Sequence, residues 1–348
     1  MNIARNWKRL TSFVLTAVLA GSLAACGGAN NSAPAETPAA DKTKETAAAP
    51  TELTVVLDWY PNAVHSFLYA AEEQGYFKEE NLKVTLKMPS DTNDPLKMVA
   101  ANQVDAAISY QPQVVQARSE NVPVVAIAAL VRHPLNVIMA RKDSGIASPK
   151  DLAGKNIGYP SIPLDESIVR NVVKANGADD SSVKFTDIGF DIVPALTGKT
   201  VDAVVGGYIN HEKLILEKNG IALNVFKPSD FGVPDYYELV FATSDATLEK
   251  KKDAFAAFLR AAAKGQAYVA ANKEKALESL LAKQAKEFPL EKDIETKSLD
   301  ILIPLMDAGK EPFGSQSLDS YQKLIDWMHK EKLIKKAVKA EDVMKEVK

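Results

Sequence analysis

A two-lobed α/β protein is the fold class predicted from this chain, on three observations. From Leu53 to Ala242, short β-branched runs alternate with amphipathic segments, the pattern of helices laid on sheets. The stretch from Thr51 to Lys348 is long enough for two lobes of ordinary domain size. An internal echo supplies the third: Gln103-Val104-Asp105-Ala106-Ala107-Ile108 recurs as Thr200-Val201-Asp202-Ala203-Val204-Val205, each copy preceded by a helical pattern. Two halves of similar build would each bring a strand end to a shared crevice, where ligands of open α/β sheets bind.

The elements follow in order. Arg5, Lys8 and Arg9 precede an apolar run, Leu10 to Leu23, that ends in small residues at Ala24-Ala25-Cys26. These are the three parts of a signal peptide over residues 1–25. Cys26, the only cysteine of 348 residues, stands where a lipoprotein signal is cut and the new N-terminus acylated. The run falls short of the ~20 residues of a membrane-spanning helix. Residues 26–50, rich in Ala, Pro and Thr and without a large apolar side chain, read as lipid anchor and disordered linker.

Strands are expected at Leu53–Leu57, Val84–Lys87, Ala106–Ser109, Val124–Ala129, Val137–Ala140, Asn156–Tyr159, Lys184–Ile188, Ala203–Val205 and Leu239–Ala242. Helices fill most of the gaps, at Ala63–Gln74, Pro95–Ala101, Pro112–Glu120, Glu166–Ala175, Pro194–Gly198 and His211–Asn219. After Thr243 the pattern turns helical throughout. Phe255, Phe258, Leu259 and Ala262 mark the core face of one helix, and Leu318, Tyr321, Leu324, Ile325 and Met328 that of a later one.

Composition narrows the function. Loss of the leader with its three cations takes the formal net charge from −3 to −6, which argues against nucleic acid. With Cys26 acylated no thiol remains for disulfides, thiolate metal sites or cysteine nucleophiles. His65, His133, His211 and His329 lie far apart, so neither a metal nor another cofactor is expected. No Ser-His-Asp order or glycine-rich phosphate loop points to catalysis.

Two motifs are more specific. Asp58-Trp59-Tyr60-Pro61-Asn62-Ala63-Val64-His65 and Pro234-Asp235-Tyr236-Tyr237-Glu238-Leu239 resemble stretches of the thiamine-pyrimidine binding proteins, while Gly75-Tyr76-Phe77 resembles an element shared by the wider group of receptors. The thiamine-pyrimidine binding proteins are receptors of ABC importers, related to the eukaryotic hydroxymethylpyrimidine synthases. Asp151-Leu152-Ala153-Gly154-Lys155 resembles the opening of the second lobe in the wider group. The resemblance runs over most of residues 53–345. It implies a hinged, two-lobed periplasmic-binding-protein fold of type II with its ligand in the interlobe cleft. Lobe 1 would combine residues 51–133 with 243–348, lobe 2 would hold residues 134–242, and the chain would cross near His133–Asn136 and Ala242–Asp245.

The implied role is a monomeric, membrane-anchored, extracytoplasmic lipoprotein that delivers a thiamine-precursor pyrimidine to an ABC permease and its ATPase. Riboflavin is an alternative cargo of the same role. Nitrate- or sulfonate-type anions would want an arginine or a bare helix N-terminus in the cleft, and of Arg132, Arg141 and Arg170 only Arg132 lies near an expected crossing. A sensory module would carry a transmembrane helix or a fused signalling domain. A synthase would carry a pyridoxal-phosphate lysine after the first Val-Asp strand and a cysteine-rich segment near the return strand. This chain has Ser109 and Asp235-Tyr236-Tyr237 at those places.

A flat heteroaromatic ligand needs aromatic faces and an edge of donors and acceptors. Trp59, Tyr208, Tyr236 and Tyr237 offer faces, and alternation along a strand would turn only one of the adjacent tyrosines inward. Glu212 and Glu166 are carboxylates suited to an amino group and ring nitrogen. Asn62 and His65, at the start of the first helix, could bond ligand substituents, though Asn62 also suits an N-cap. Ser109 and Gln111 follow the first Val-Asp strand at the next helix start, where capping would equally explain Ser109.

Overall fold

The computed structural model describes residues 49–348; the leader, Cys26 and nearly all of the linker lie outside the described residues. Among the described residues, ten strands form two five-stranded mixed sheets. The first sheet takes β1 (Thr51–Val56), β2 (Leu82–Lys87), β3 (Ala106–Ser109), β4 (Val124–Val131) and, far along the chain, β10 (Leu239–Ser244). Its spatial order is β2-β1-β3-β10-β4, with β1 parallel to β2 and β3, and β10 antiparallel to β3 and β4. The second sheet holds β5 (Asn136–Arg141), β6 (Asn156–Tyr159), β7 (Lys184–Asp187), β8 (Ala203–Tyr208) and β9 (Leu223–Phe226), in the order β7-β6-β8-β5-β9.

The chain therefore leaves the first sheet after Val131 and enters the second at Asn136. It returns before Leu239, and this corrects the expected second crossing at Ala242–Asp245. The whole Leu239–Ser244 strand pairs between β3 and β4, because Val240, Phe241 and Ala242 supply the buried centre of that sheet. The sequence pattern also lacks β9, a four-residue edge strand beside β5 with Asn224 in its middle.

Helices connect and cover the sheets. In the first half these are α1 (Ser66–Glu73), α2 (Tyr76–Glu79), α3 (Asp94–Ala100), α4 (Gln111–Ser119), α5 (Pro163–Ala175), α6 (Ile192–Thr197) and α7 (Glu212–Lys218). After β10 follow α8 (Asp245–Ala271), α9 (Lys273–Ala282), α10 (Lys292–Met306), α11 (Leu318–Lys330) and α12 (Ala340–Val343). Ser244 caps α8 by accepting from the Thr247 N–H at 3.0 Å, a cap of the usual Ser type. The stripe Phe255, Phe258, Leu259 and Ala262 is buried against α1 and the first sheet, with Phe258 edge-on to Phe241 at 5.0 Å. Tyr321, Leu324, Ile325 and Met328 of α11 are likewise fully buried, but Leu318, the first residue of the helix, is exposed, which corrects its expected place on the core face.

Gly265 marks the closest approach of α8 to α1. A Cβ there would lie 2.1 Å from the Phe67 carbonyl oxygen, a backbone atom with no room to yield. Gly265→Ala should therefore destabilise by about 1–3 kcal/mol, the usual cost of overpacking. A thermal midpoint unchanged within 1–2 °C would refute that tight contact.

Candidate functional site

The two chain crossings and the loops at the strand ends enclose a cavity with about 660 Å³ of space unfilled by atoms, its mouth included. The first sheet contributes the turn after β1, with Asp58, Trp59 and Asn62, and the β3–α4 turn, with Tyr110 and Pro112. The second contributes Pro160 and Asp165 around the start of α5, Gly206 and Tyr208 at the end of β8, and Asn210, His211 and Glu212 after it. Asn136, Tyr236 and Glu238 come from the crossings themselves.

Of the residues expected at a site, Trp59, Asn62, Tyr208, Glu212 and Tyr236 line this cavity. The others lie elsewhere. His65 is fully buried behind the wall: its Nδ1 accepts from the Asn62 N–H at 3.2 Å, so Nε2 carries the proton and donates to Asp58 Oδ1 at 2.9 Å. It fixes Asp58 in place of touching the cavity. Asn62 does cap the helical turn, its Oδ1 accepting from the Val64 N–H at 3.1 Å.

Ser109 and Gln111 cap nothing. Ser109 Oγ donates to Gln113 Oε1 at 2.8 Å, and Gln111 Oε1 accepts from the Tyr237 N–H at 2.7 Å, tying α4 to the return crossing. Glu166 sits half-buried beside the Tyr159 hydroxyl, outside the cavity. Helix α5 begins at Pro163, and at 3.6 residues per turn its neighbour Asp165 is the one turned inward. Of the adjacent tyrosines, Tyr236 lines the cavity. Tyr237 packs on Tyr321 and the Arg132 guanidinium, and its hydroxyl accepts from the Ser317 N–H at 3.1 Å.

Sequence reasoning missed the residues that set the cavity's polarity. Glu238 is 2% exposed and accepts from the Leu135 and Asn136 N–H groups at 2.6 and 2.9 Å and from the Tyr208 hydroxyl at 3.2 Å. Asn136 Nδ2 donates to Asp165 Oδ1 at 2.8 Å, and its Oδ1 accepts from the Gly206 N–H at 2.9 Å. Gly206 is needed here: its φ is +85°, and a Cβ would meet the Pro160 ring at 2.5 Å. Glu238 stood within the Tyr-Tyr-Glu-Leu motif and Asp58 ahead of Trp59, so position in those motifs was the available signal. Nothing in the sequence singled out Asp165 or Asn136.

Burial, reinforced by Glu238, raises the Asp165 carboxyl to about 7; burial, opposed by the Asn136 and Leu135 N–H groups, raises Glu238 to about 7. The Tyr110, Tyr208 and Tyr236 hydroxyls are pushed well up by burial and by nearby carboxylates, so they are neutral donors. Glu212 is held low despite its burial because His211 pairs with it at 2.8 Å. Trp59 stands edge-on to Phe190 at 4.6 Å, and its buried indole N–H has no acceptor in the protein. Asn210 Oδ1 is buried without a donor, while its Nδ2 donates to Ser298 Oγ at 2.9 Å. No lysine or arginine lines the cavity. Among the described residues, no three or more His, Cys, Asp or Glu groups could hold a metal ion, and no helix is long and apolar enough to cross a membrane.

Comparison with known proteins agrees with this architecture. The chain is 42% identical over 294 residues to the formylaminopyrimidine-binding protein of Halalkalibacterium halodurans, covering 84% of this chain and 89% of that one. It is 29% identical over 251 residues to the 4-amino-5-hydroxymethyl-2-methylpyrimidine phosphate synthase of Legionella pneumophila, covering 71% and 78%. In fold it is similar to the alkanesulfonate-binding protein SsuA of Xanthomonas axonopodis pv. citri, with a TM-score of 0.66 at 12% identity over 86% of this chain and all of that one. The fold is thus the two-lobed periplasmic-binding-protein fold. Residues 62–276 match the family described as NMT1/THI5 like, and the chain belongs to that family.

Proposed function

We propose that this protein is the solute-binding component of an ABC importer and that its cargo is an unphosphorylated aminopyrimidine of the formylaminopyrimidine kind. The observation that carries the cargo is the cavity's polarity: four carboxyl groups and three tyrosine hydroxyls, with no lysine or arginine. An aminopyrimidine edge offers amino N–H donors beside a ring-nitrogen acceptor. Carboxyls poised near neutrality, as Asp165 and Glu238 are, can meet both, one oxygen accepting from the amino group while a protonated partner donates to the ring. The aromatic contacts come from Tyr208, Tyr236 and Trp59. Asn62 lines the cavity but is already engaged as a cap.

In this reading the cargo closes two lobes hinged at residues 132–135 and 227–238. Closure is stabilised only by the ligand's preference for the closed form, which is the form the permease recognises. Lipid on Cys26 would hold the receptor on the extracytoplasmic face, with more than one chain needed for stable anchoring. Catalysis is not part of the reading. Relatives include pyrimidine phosphate synthases, but Ser109, bonded to Gln113, offers no amine for a Schiff base.

Thermal unfolding with formylaminopyrimidine, hydroxymethylpyrimidine, thiamine or riboflavin in excess tests the cargo. A ligand at one hundred times its dissociation constant adds about 2.7 kcal/mol, a shift of several degrees. A shift with the pyrimidines is expected. A shift with riboflavin alone would keep the receptor role and overturn the cargo.

A further inference from the structure

Between β8 and the end of α7, the second lobe is fastened to α10 of the first by a strip of polar contacts. Asn210 bonds Ser298, and Lys218 Nζ meets Glu291 and Asp293, each at 2.6 Å. Between these contacts lies His211, 3% exposed. Its Nδ1 is 2.8 Å from Glu212 Oε1, and its Nε2 is 3.3 Å from Glu295 Oε1. Glu212 lines the ligand cavity and also accepts from the Tyr208 N–H at 2.9 Å; Glu295 belongs to the first lobe and accepts from the Ala63 N–H at 2.7 Å. One imidazole thus hydrogen-bonds a carboxylate of the cavity and lies within ion-pair distance, without hydrogen-bond geometry, of a carboxylate across the cleft.

We infer that His211 is a positioning residue whose protonated ring latches the lobes together and couples ligand at Glu212 to closure at Glu295. The inference rests on the receptor reading above, since it concerns how that receptor closes. The groups facing the ring are Glu212 from α7, Glu295 from α10 and the Tyr60 ring from the turn after β1, at 5.7 Å. His211 also borders a groove on the far side of the cavity wall that reaches solvent at Asp191 and Glu287, so its proton has a route to water.

Burial opposes the charge, but Glu212 and Glu295 outweigh it and push the imidazole up to about 10. When the lobes part, the ring leaves Glu295 and holds its proton less tightly. Closure then takes up a proton at any pH between the open-form and closed-form values. The closed state is favoured fully below that window, and the advantage is lost as pH rises toward 10.

The test uses the full chain with Cys26→Ser, and spin labels on Lys87→Cys and Lys184→Cys, two exposed sites on opposite lobes. Interlobe distances are recorded from pH 6 to 10, with and without formylaminopyrimidine, and its affinity is measured in parallel. The closed population should fall with rising pH by up to about tenfold per unit inside the window. His211→Gln should flatten that slope and weaken binding by roughly 10–100-fold at pH 7, within the range of coupling between sites. Glu295→Gln retains an acceptor for the Ala63 N–H and serves as the second variant, with the same flattening expected. Wild-type distances that do not change with pH, or variants that keep the wild-type slope, overturn the latch. If formylaminopyrimidine fails to bind at any pH, the cargo reading falls, and the ligand-free distances still decide the latch.

Discussion

Replacing Glu238 with alanine is expected to lower the unfolding midpoint by roughly 5–15 °C. The carboxylate accepts from two backbone N–H groups of the first crossing and from the Tyr208 hydroxyl, all away from water. Leaving a buried donor unpaired costs ~1–3 kcal/mol, so two or three together cost about 2–5 kcal/mol, at roughly 2–4 °C per kcal/mol. Glu238→Gln keeps an acceptor oxygen and should lose far less. Differential scanning calorimetry of both variants decides it: equal midpoints for Ala and wild type would mean that Glu238 does not hold the crossings together.

The pH dependence carries the same signature. Asp165 and Glu238 keep their protons to about 7 in the folded protein, against ordinary values of 3.8 and 4.5. Between those values and 7 the folded state binds more protons than the unfolded chain. Their contribution is full below the unfolded values and declines as pH rises through 7. Acidification from pH 7.5 to 5.5 should therefore raise the midpoint, and Asp165→Asn with Glu238→Gln should reduce that rise to the part that His211, also raised in the folded protein, contributes.

A second large effect is expected from the ligand. A pyrimidine carrying a phosphate should bind at least about a thousandfold more weakly than the same pyrimidine without it. The group brings about −1.5 to −2 charges into a cavity with Asp58, Asp165, Glu212 and Glu238 on its walls. The one basic side chain there, His211, already serves two carboxylates. An uncompensated buried charge costs several kcal/mol, and each 1.4 kcal/mol is tenfold. Titration calorimetry at pH 7.5 with the two compounds measures the ratio. Affinities within tenfold of each other would remove the charge argument for the cargo.

The sequence revealed the alternation, the echo and the aromatic motifs because these are local or periodic signals. Nine strands follow from hydrophobic pattern; β9 does not, since an edge strand of four residues with Asn224 at its centre has too little apolar content to stand out. The second crossing was misplaced because strand propensity says nothing about which sheet a strand joins. At the site, residues inside motifs were reachable. Asp165 was not, because which of Asp165 and Glu166 faces inward depends on where α5 begins. Glu238 passed as part of a strand motif, and its role emerges only when Leu135, a hundred residues earlier in the chain, lies against it.

The position of β10 governs the order in which the molecule can be assembled. The second sheet is built wholly from residues 136–226, one contiguous stretch that can pair as soon as it is made. The first sheet cannot. Until Leu239–Ser244 arrives, β3 and β4 have no strand between them, and Phe241 is missing from beneath α8. Such pairings across long sequence separations form slowly, since chain closure precedes the contacts that reward it. The first sheet thus cannot be completed before Leu239–Ser244 is made, and a nascent chain lacking its final third holds every strand of the second sheet but a first sheet still in two parts.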